Sequence, residues 1–222
     1  MVSMHLFQTH KRKQREVPAA LQKIMAADVF LTDKFCNWAN CFLPLRSLRL
    51  HYKVLEVSCH GILWLSGWIA FIWLVDSRSL YQMQVNFFIG LLLDIVFVST
   101  VKAFTRRRRP SGNQPDMFSV VGPDKFSFPS GHASRACFIA LFFVYLYPLF
   151  FIFYMPLTAW ATSVCISRVL LRRHHLLDVA GGILLGVFET VLLSWLWVSE
   201  NFAVWVVSWL SDEKLQGASY HV

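Results

Sequence analysis

Apolar and polar residues fall in long blocks along this chain, and the blocks predict helices. Residues 55–75, LEVSCHGILWLSGWIAFIWLV, are the first run long enough for a bilayer crossing, which takes about 20 apolar residues. The polar DSRSLYQMQ at 76–84 reads as a short turn, and 85–101, VNFFIGLLLDIVFVSTV, as a second span. Residues 136–167 carry no charge and are too long for one helix. Pro148 and Pro156 bracket LFFIFYM as a turn between a third and a fourth span. A fifth span covers 176–198, where Gly182 and Gly186 have the GxxxG spacing that permits close helix contact. Two segments are weaker. Residues 18–43 start at Pro18 and stop before Pro44, and Asp28, Asp33 and Lys34 predict an interfacial helix rather than a span. NFAVWVVSWL at 201–210 is too short to cross and is also assigned to the interface. Between spans two and three, the polar, Gly/Pro-rich stretch 102–132 reads as an ordered functional loop.

Composition sharpens this picture. The chain has 222 residues, 56% hydrophobic and 15% charged, against roughly 45–50% apolar and about 25% charged in soluble domains. The sequence therefore describes an integral membrane protein, all-α, a helical bundle of five to six spans with an interfacial amino-terminal helix. The layout is a disordered basic tail at 1–17, an interfacial helix and basic approach at 18–54, the membrane domain at 55–210 and a tail at 211–222. MVSMHLFQTHKRKQRE has no apolar h-region, so the first span is expected to serve as a retained signal.

The net charge of +8 is gathered in KRKQR at 11–15, RRRR at 106–109 and RR at 172–173. Basic residues beside spans fit positive-inside anchoring, anionic lipid or a phosphorylated substrate, and argue against nucleic acid as a partner. The five cysteines (36, 41, 59, 137, 165) form no CxxC pattern and read as reduced filler.

Topology gathers the polar residues. His132 and His174 are separated by 41 residues, room for two crossings, so both face one surface, where the second span also delivers Lys102. Three clusters meet there: KAFTRRRRP (102–110), PSGHASR (129–135) and SRVLLRRHHLLD (167–178). Guanidinium groups match phosphate oxygens, lysine adds a point charge, and the Ser–Gly turn opens a helix whose free N–H groups attract an anion. The combination suits a tetrahedral, highly negative group. Asp178 lies four residues after His174 and three after His175, and both spacings share a helix face.

K-x6-R-P, P-S-G-H and S-R-x5-H-x3-D, in this order over 102–178, resemble the three signature motifs of the type 2 phosphatidic acid phosphatase (PAP2) family. GHASRA and SRVLLRRHHLLD look most like its polyisoprenoid diphosphate and presqualene diphosphate phosphatase branch. The resemblance implies a metal-independent lipid phosphatase without cofactor. It makes His174 the nucleophile forming a phosphohistidine, with Asp178 accepting a hydrogen bond from its ring. His132 becomes the general acid and base, and Lys102, Arg109, Ser130, Gly131 and Arg168 the phosphate holders. The implied partners are a phosphorylated lipid substrate and the membrane. Phosphatidate, lysophosphatidate or sphingosine phosphate remain alternative substrates, and a silent scaffold an alternative role.

Arg106, Arg107 and Arg108 read as surface charge or as contacts to a second phosphate, and Arg135, Arg172 and Arg173 likewise. Asp94, well inside the second span, reads as a buried hydrogen-bonded helix contact, and His175 as a polar interface residue. The basic clusters place the site on the cytosolic side, with endoplasmic reticulum or nuclear envelope as the expected location.

Overall fold

The structure, a computed structural model, describes residues 18–42, 48–110 and 126–216. The predicted tail at 1–17 lies outside these residues, as does KRKQR. The elements are helices α1 (Ala19–Asn40), α2 (Arg49–Ser58), α3 (Gly61–Leu74), α4 (Tyr81–Thr105), α5 (Gly131–Leu141), α6 (Tyr154–Leu170), α7 (Leu176–Trp195) and α8 (Glu200–Gln216). A π-turn at Phe142–Leu146 extends α5, and single 3-10 turns precede α4 and α6.

Four boundaries differ from expectation. The first span is broken: α2 and α3 meet at a 48° bend. The chain is extended at His60, and the bend is held from outside by the Arg135 guanidinium, which donates to the Cys59 carbonyl at 3.1 Å. Helix α4 runs on to Thr105, so Lys102 sits on a helix and not in the loop. Pro156 lies inside the first turn of α6 rather than before it, a position where the missing N–H costs no helical hydrogen bond. Helix α8 reaches Gln216, beyond the short segment expected at 201–210 and into the predicted tail.

Among the described residues, two helices are long and apolar enough to cross a membrane, Arg78–Thr105 and Leu176–Trp195, and the bent α2–α3 pair makes up to three. The expected third and fourth spans are shorter, α5 ending in its π-turn and α6 having 17 residues.

The buried stripe of α4 runs from Met83 through Phe87, Gly90, Leu91, Asp94 and Val98 to Lys102, at helical steps of three and four. Its first half joins Phe138, Ile139, Phe142 and Leu193 in the main apolar core; its second half turns polar and leads to the site. One helix thus carries both the packing and the chemistry, with Phe87 and Lys102 about 22 Å apart at 1.5 Å per residue.

Helix α1 inverts the usual pattern. Its buried residues are Asp28, Thr32, Cys36 and Ala39, while Leu21, Ile24, Phe30 and Trp38 are exposed. The inward polar stripe has a definite task. Thr32 Oγ1 accepts from the Leu176 N–H at 3.1 Å and Asp28 Oδ1 from the Leu177 N–H at 3.0 Å, so α1 satisfies the open amides at the start of α7.

Helices α5 and α7 cross closely through the predicted glycine pair. A Cβ added to Gly182 would lie 2.5 Å from the Ser130 carbonyl oxygen, and one on Gly186 2.5 Å from that of Ser134. Gly182→Ala is therefore expected to push α5 away from α7, costing about 1–3 kcal/mol, read as a lower melting temperature in detergent. At Gly67 an added Cβ meets nothing within 4 Å, so Gly67→Ala should raise thermal stability slightly in the same detergent melt.

Candidate active site

The site forms where four chain segments meet. Helix α4 ends at Arg106, whose φ of 49° is left-handed, and the turn sends Arg107 inward. The segment 107–108 pairs with 126–127 through an isolated bridge between Arg108 and Phe126, and the Ser127 N–H donates to the Arg107 carbonyl at 2.8 Å. Helix α5 starts at Gly131, capped by Ser130 Oγ, which accepts from the Ala133 N–H at 3.4 Å. After α6 the chain folds back through Arg172, also left-handed, so that the N–H groups of Arg173 and His174 both reach the Arg168 carbonyl, at 3.1 and 3.2 Å. The Ser130 N–H donates to the Asp178 carbonyl at 2.9 Å, tying the second motif to the third.

The expected site residues converge here. His174 is 3% exposed, and burial first, then the positive charges of Arg168, Arg109 and Lys102, hold its imidazole well below the ordinary histidine range. His132 is half-buried, and its Nε2 lies 3.1 Å from the Glu56 carbonyl oxygen. A carbonyl only accepts, so that nitrogen carries the proton. Arg168 is 1% exposed and Lys102 is buried. Gly131 packs so that an added Cβ would stand 3.1 Å from Val98. Among the described residues, no three His, Cys, Asp or Glu side chains converge as a metal-ligand set.

One expected contact differs. His174 Nδ1 lies 2.8 Å from the Ser127 carbonyl and 3.9 Å from Asp178 Oδ2, so Ser127 and not Asp178 takes the ring hydrogen bond. The reason is competition for the carboxylate. Asp178 Oδ2 accepts from the His175 backbone N–H at 2.8 Å and lies 3.2 Å from His175 Nδ1, closing a capping box at the start of α7. Its Oδ1 takes the Arg107 guanidinium at 2.8 Å. His175 is thus the cap of α7.

The arginines left open by the sequence separate clearly. Arg107 is not surface charge: it bridges Asp178 and Asp28, the latter at 2.5 Å. Arg135 is buried against Asp94 at 2.6 Å, which makes Asp94 an ion-pair partner between α4 and α5. Arg172 pairs with Asp33. Arg173 reaches Glu56 at 3.5 Å. Arg106 and Arg108 are exposed and, with Arg109, form the cationic wall of a groove of about 670 Å³ whose opposite wall is apolar α1, including Leu21, Ile24 and Met25. The sequence reading passed over Ser127, whose signal is a backbone carbonyl and so invisible, and Glu56. An acid in a predicted span could have flagged the latter.

Two histidines and three cations gathered at a helix N-terminus, in a bundle with membrane-length helices, make a site for phosphoryl chemistry in a membrane protein. The model of the PAP2 superfamily matches residues 84–203. The chain is 35% identical over 193 residues to the probable lipid phosphate phosphatase beta of Arabidopsis thaliana, covering 76% of this chain and 87% of that protein. It shares its fold with the transmembrane PAP2 type phosphatidylglycerolphosphate phosphatase of Bacillus subtilis (TM-score 0.56, 24% identity, 78% of this chain and 85% of that one). Aquifex aeolicus LpxE is also similar in fold (TM-score 0.54, 21% identity, 72% of this chain and 92% of that one). The chain belongs to the PAP2 superfamily and is a phosphatase.

Proposed function

We propose that this membrane phosphatase hydrolyses polyisoprenoid diphosphates through a phosphohistidine on His174. In the first step His174 Nε2 attacks phosphorus in line, the N–P bond forms, and the bond to the leaving oxygen breaks as His132, an imidazolium beside the bound anionic substrate, gives that oxygen its Nδ1 proton while Nε2 stays on the Glu56 carbonyl. Water then attacks phosphorus, gives its proton to His132 and releases phosphate from His174. Lys102, Arg109 and Arg168 hold the equatorial oxygens, with the Ser130 hydroxyl and the Gly131 amide at the start of α5. Asp178 faces the charge that develops on His174.

The observation that carries the substrate reading is the groove beside His175. Its volume of about 670 Å³ suits a ligand-sized molecule. Its two walls match the two halves of an isoprenoid diphosphate, arginines for a second phosphate and the apolar face of α1 for a hydrocarbon chain. Arg109 belongs both to this groove and to the surroundings of His174. A diphosphate also leaves as a monophosphate, which needs less help from His132 than an alkoxide. The arginines collected at this end of the bundle support a cytosol-facing site in the endoplasmic reticulum or nuclear envelope.

The similarity to the plant lipid phosphate phosphatase favours a second reading, a general phosphatase for phosphatidate and related monoesters. The two separate by kcat/KM for farnesyl diphosphate against phosphatidate at equal surface concentration. We expect a ratio above one that falls when Arg106 and Arg108 are both changed to Gln. A ratio at or below one selects the general reading.

A further inference from the structure

Glu56 lies outside all three motifs, on α2, yet it touches two of them. Its side chain is nearly buried, and its Oε1 stands 3.2 Å from Arg168 Nη2 and 3.5 Å from Arg173 Nη2. Its backbone carbonyl oxygen is the partner of His132 Nε2 at 3.1 Å. Three residues further on, Cys59 Sγ donates to the His132 carbonyl at 3.4 Å, and the Cys59 carbonyl receives Arg135. The bend between α2 and α3 is therefore fastened to the first turn of α5, and Glu56 reaches from it to the arginine that opens the third motif.

The geometry around Oε1 is that of an anion site. Two guanidinium groups, on side chains 2% and 9% exposed, converge on one oxygen, the way such groups receive a phosphoryl oxygen. Buried cations need a counter-charge when no substrate is present. Arg107 and Arg135 have theirs in Asp28, Asp178 and Asp94. Those arginines stand outside the motif cradle, whereas Arg168 belongs to it.

Resting on the phosphatase reading, we propose that the Glu56 carboxylate is a resident anion of the phosphate cradle. It neutralises Arg168 and Arg173 between turnovers and opposes free phosphate, so that the product leaves instead of staying bound. The carboxylate and a phosphate dianion repel each other across the shared arginines. Arg168 accordingly exchanges one anionic partner for another in each cycle, and Glu56 acts as a positioning residue, not a catalytic one.

The test is inhibition by inorganic phosphate in full-length protein in detergent. Glu56→Gln keeps the shape and removes the charge. Its Ki for phosphate is expected to fall about a hundredfold, the scale of one like charge about 6 Å away in an effective dielectric of about 20. KM should fall with it and kcat should drop, because release becomes slow. Phosphate should also raise the melting temperature of Glu56→Gln more than that of wild type, since it replaces the missing carboxylate. Glu56→Asp, with the charge kept and drawn back by one methylene, should give an intermediate Ki, and it serves the test if Glu56→Gln does not fold. A Ki equal to or weaker than wild type in the variants, with kcat alone reduced, makes Glu56 a structural brace and overturns the proposal. A wild-type protein that releases no phosphate from any lipid phosphate fails the phosphatase reading itself. Phosphate binding seen by thermal shift is then still scored for Glu56 separately.

Discussion

The His174→Ala protein is expected to release phosphate at background, a loss of at least about 10,000-fold, as for removal of a nucleophile in other covalent catalysts. His175→Ala should remain within about tenfold of wild type, because it loses one contact at a helix cap, of the order of 1 kcal/mol. The structure separates these adjacent histidines by what they touch. His174 has one nitrogen committed to the Ser127 carbonyl and lies amid Arg168, Arg109 and Lys102; His175 is turned to Asp178 at the start of α7.

The same surroundings set a pH dependence. The proposed attack by His174 requires its neutral ring. Burial and the three cations disfavour its protonated form, so its pKa lies well below the ordinary value of 6.5. The acid limb of kcat/KM should therefore fall only as pH drops through that depressed value, with no loss near 6.5. Arg168→Gln removes a positive charge that disfavours protonation of His174, so the limb should move up toward 6.5, in addition to the loss of phosphate affinity. Near-normal turnover by His174→Ala, or an unshifted limb in Arg168→Gln, would contradict this assignment of the nucleophile.

The parts legible in the sequence are those set by local pattern. Charge-free runs and the three motifs placed the helices near their observed positions, and the 41-residue separation of His132 and His174 was enough to bring them to one end. Gly182 and Gly186 marked a close crossing because only a missing Cβ permits it. The rest depends on partners distant in sequence. Asp28 looked like an obstacle to membrane insertion, yet its carboxylate caps α7 and receives Arg107. Arg107 looked like its exposed neighbours, because a run of four arginines does not reveal which one turns inward; the left-handed turn at Arg106 decides that. Ser127 acts through its carbonyl, which no side-chain motif encodes.

Asp178→Asn is expected to lower kcat about a hundredfold, some 2.7 kcal/mol of barrier, with KM changed by less than about threefold. Where an aspartate alone sets the tautomer of a catalytic histidine, the same change costs about 10,000-fold, since the proton then sits on the wrong nitrogen. In this site the Ser127 carbonyl, 2.8 Å from His174 Nδ1, performs that task. A carbonyl cannot donate, so Nδ1 keeps its proton and Nε2 stays bare whichever residue occupies position 178. The asparagine oxygen can still accept from the His175 N–H and preserve the cap of α7. What disappears is a negative charge 3.9 Å from Nδ1, already shared with Arg107. In the proposed phosphohistidine the ring of His174 is cationic and that charge matters most, so the loss should appear in kcat. Single-turnover measurements should show slower phosphorylation with substrate binding kept. A fall of about 10,000-fold would mean that Asp178, and not Ser127, fixes the ring, and that the ring turns toward Asp178 when substrate is bound.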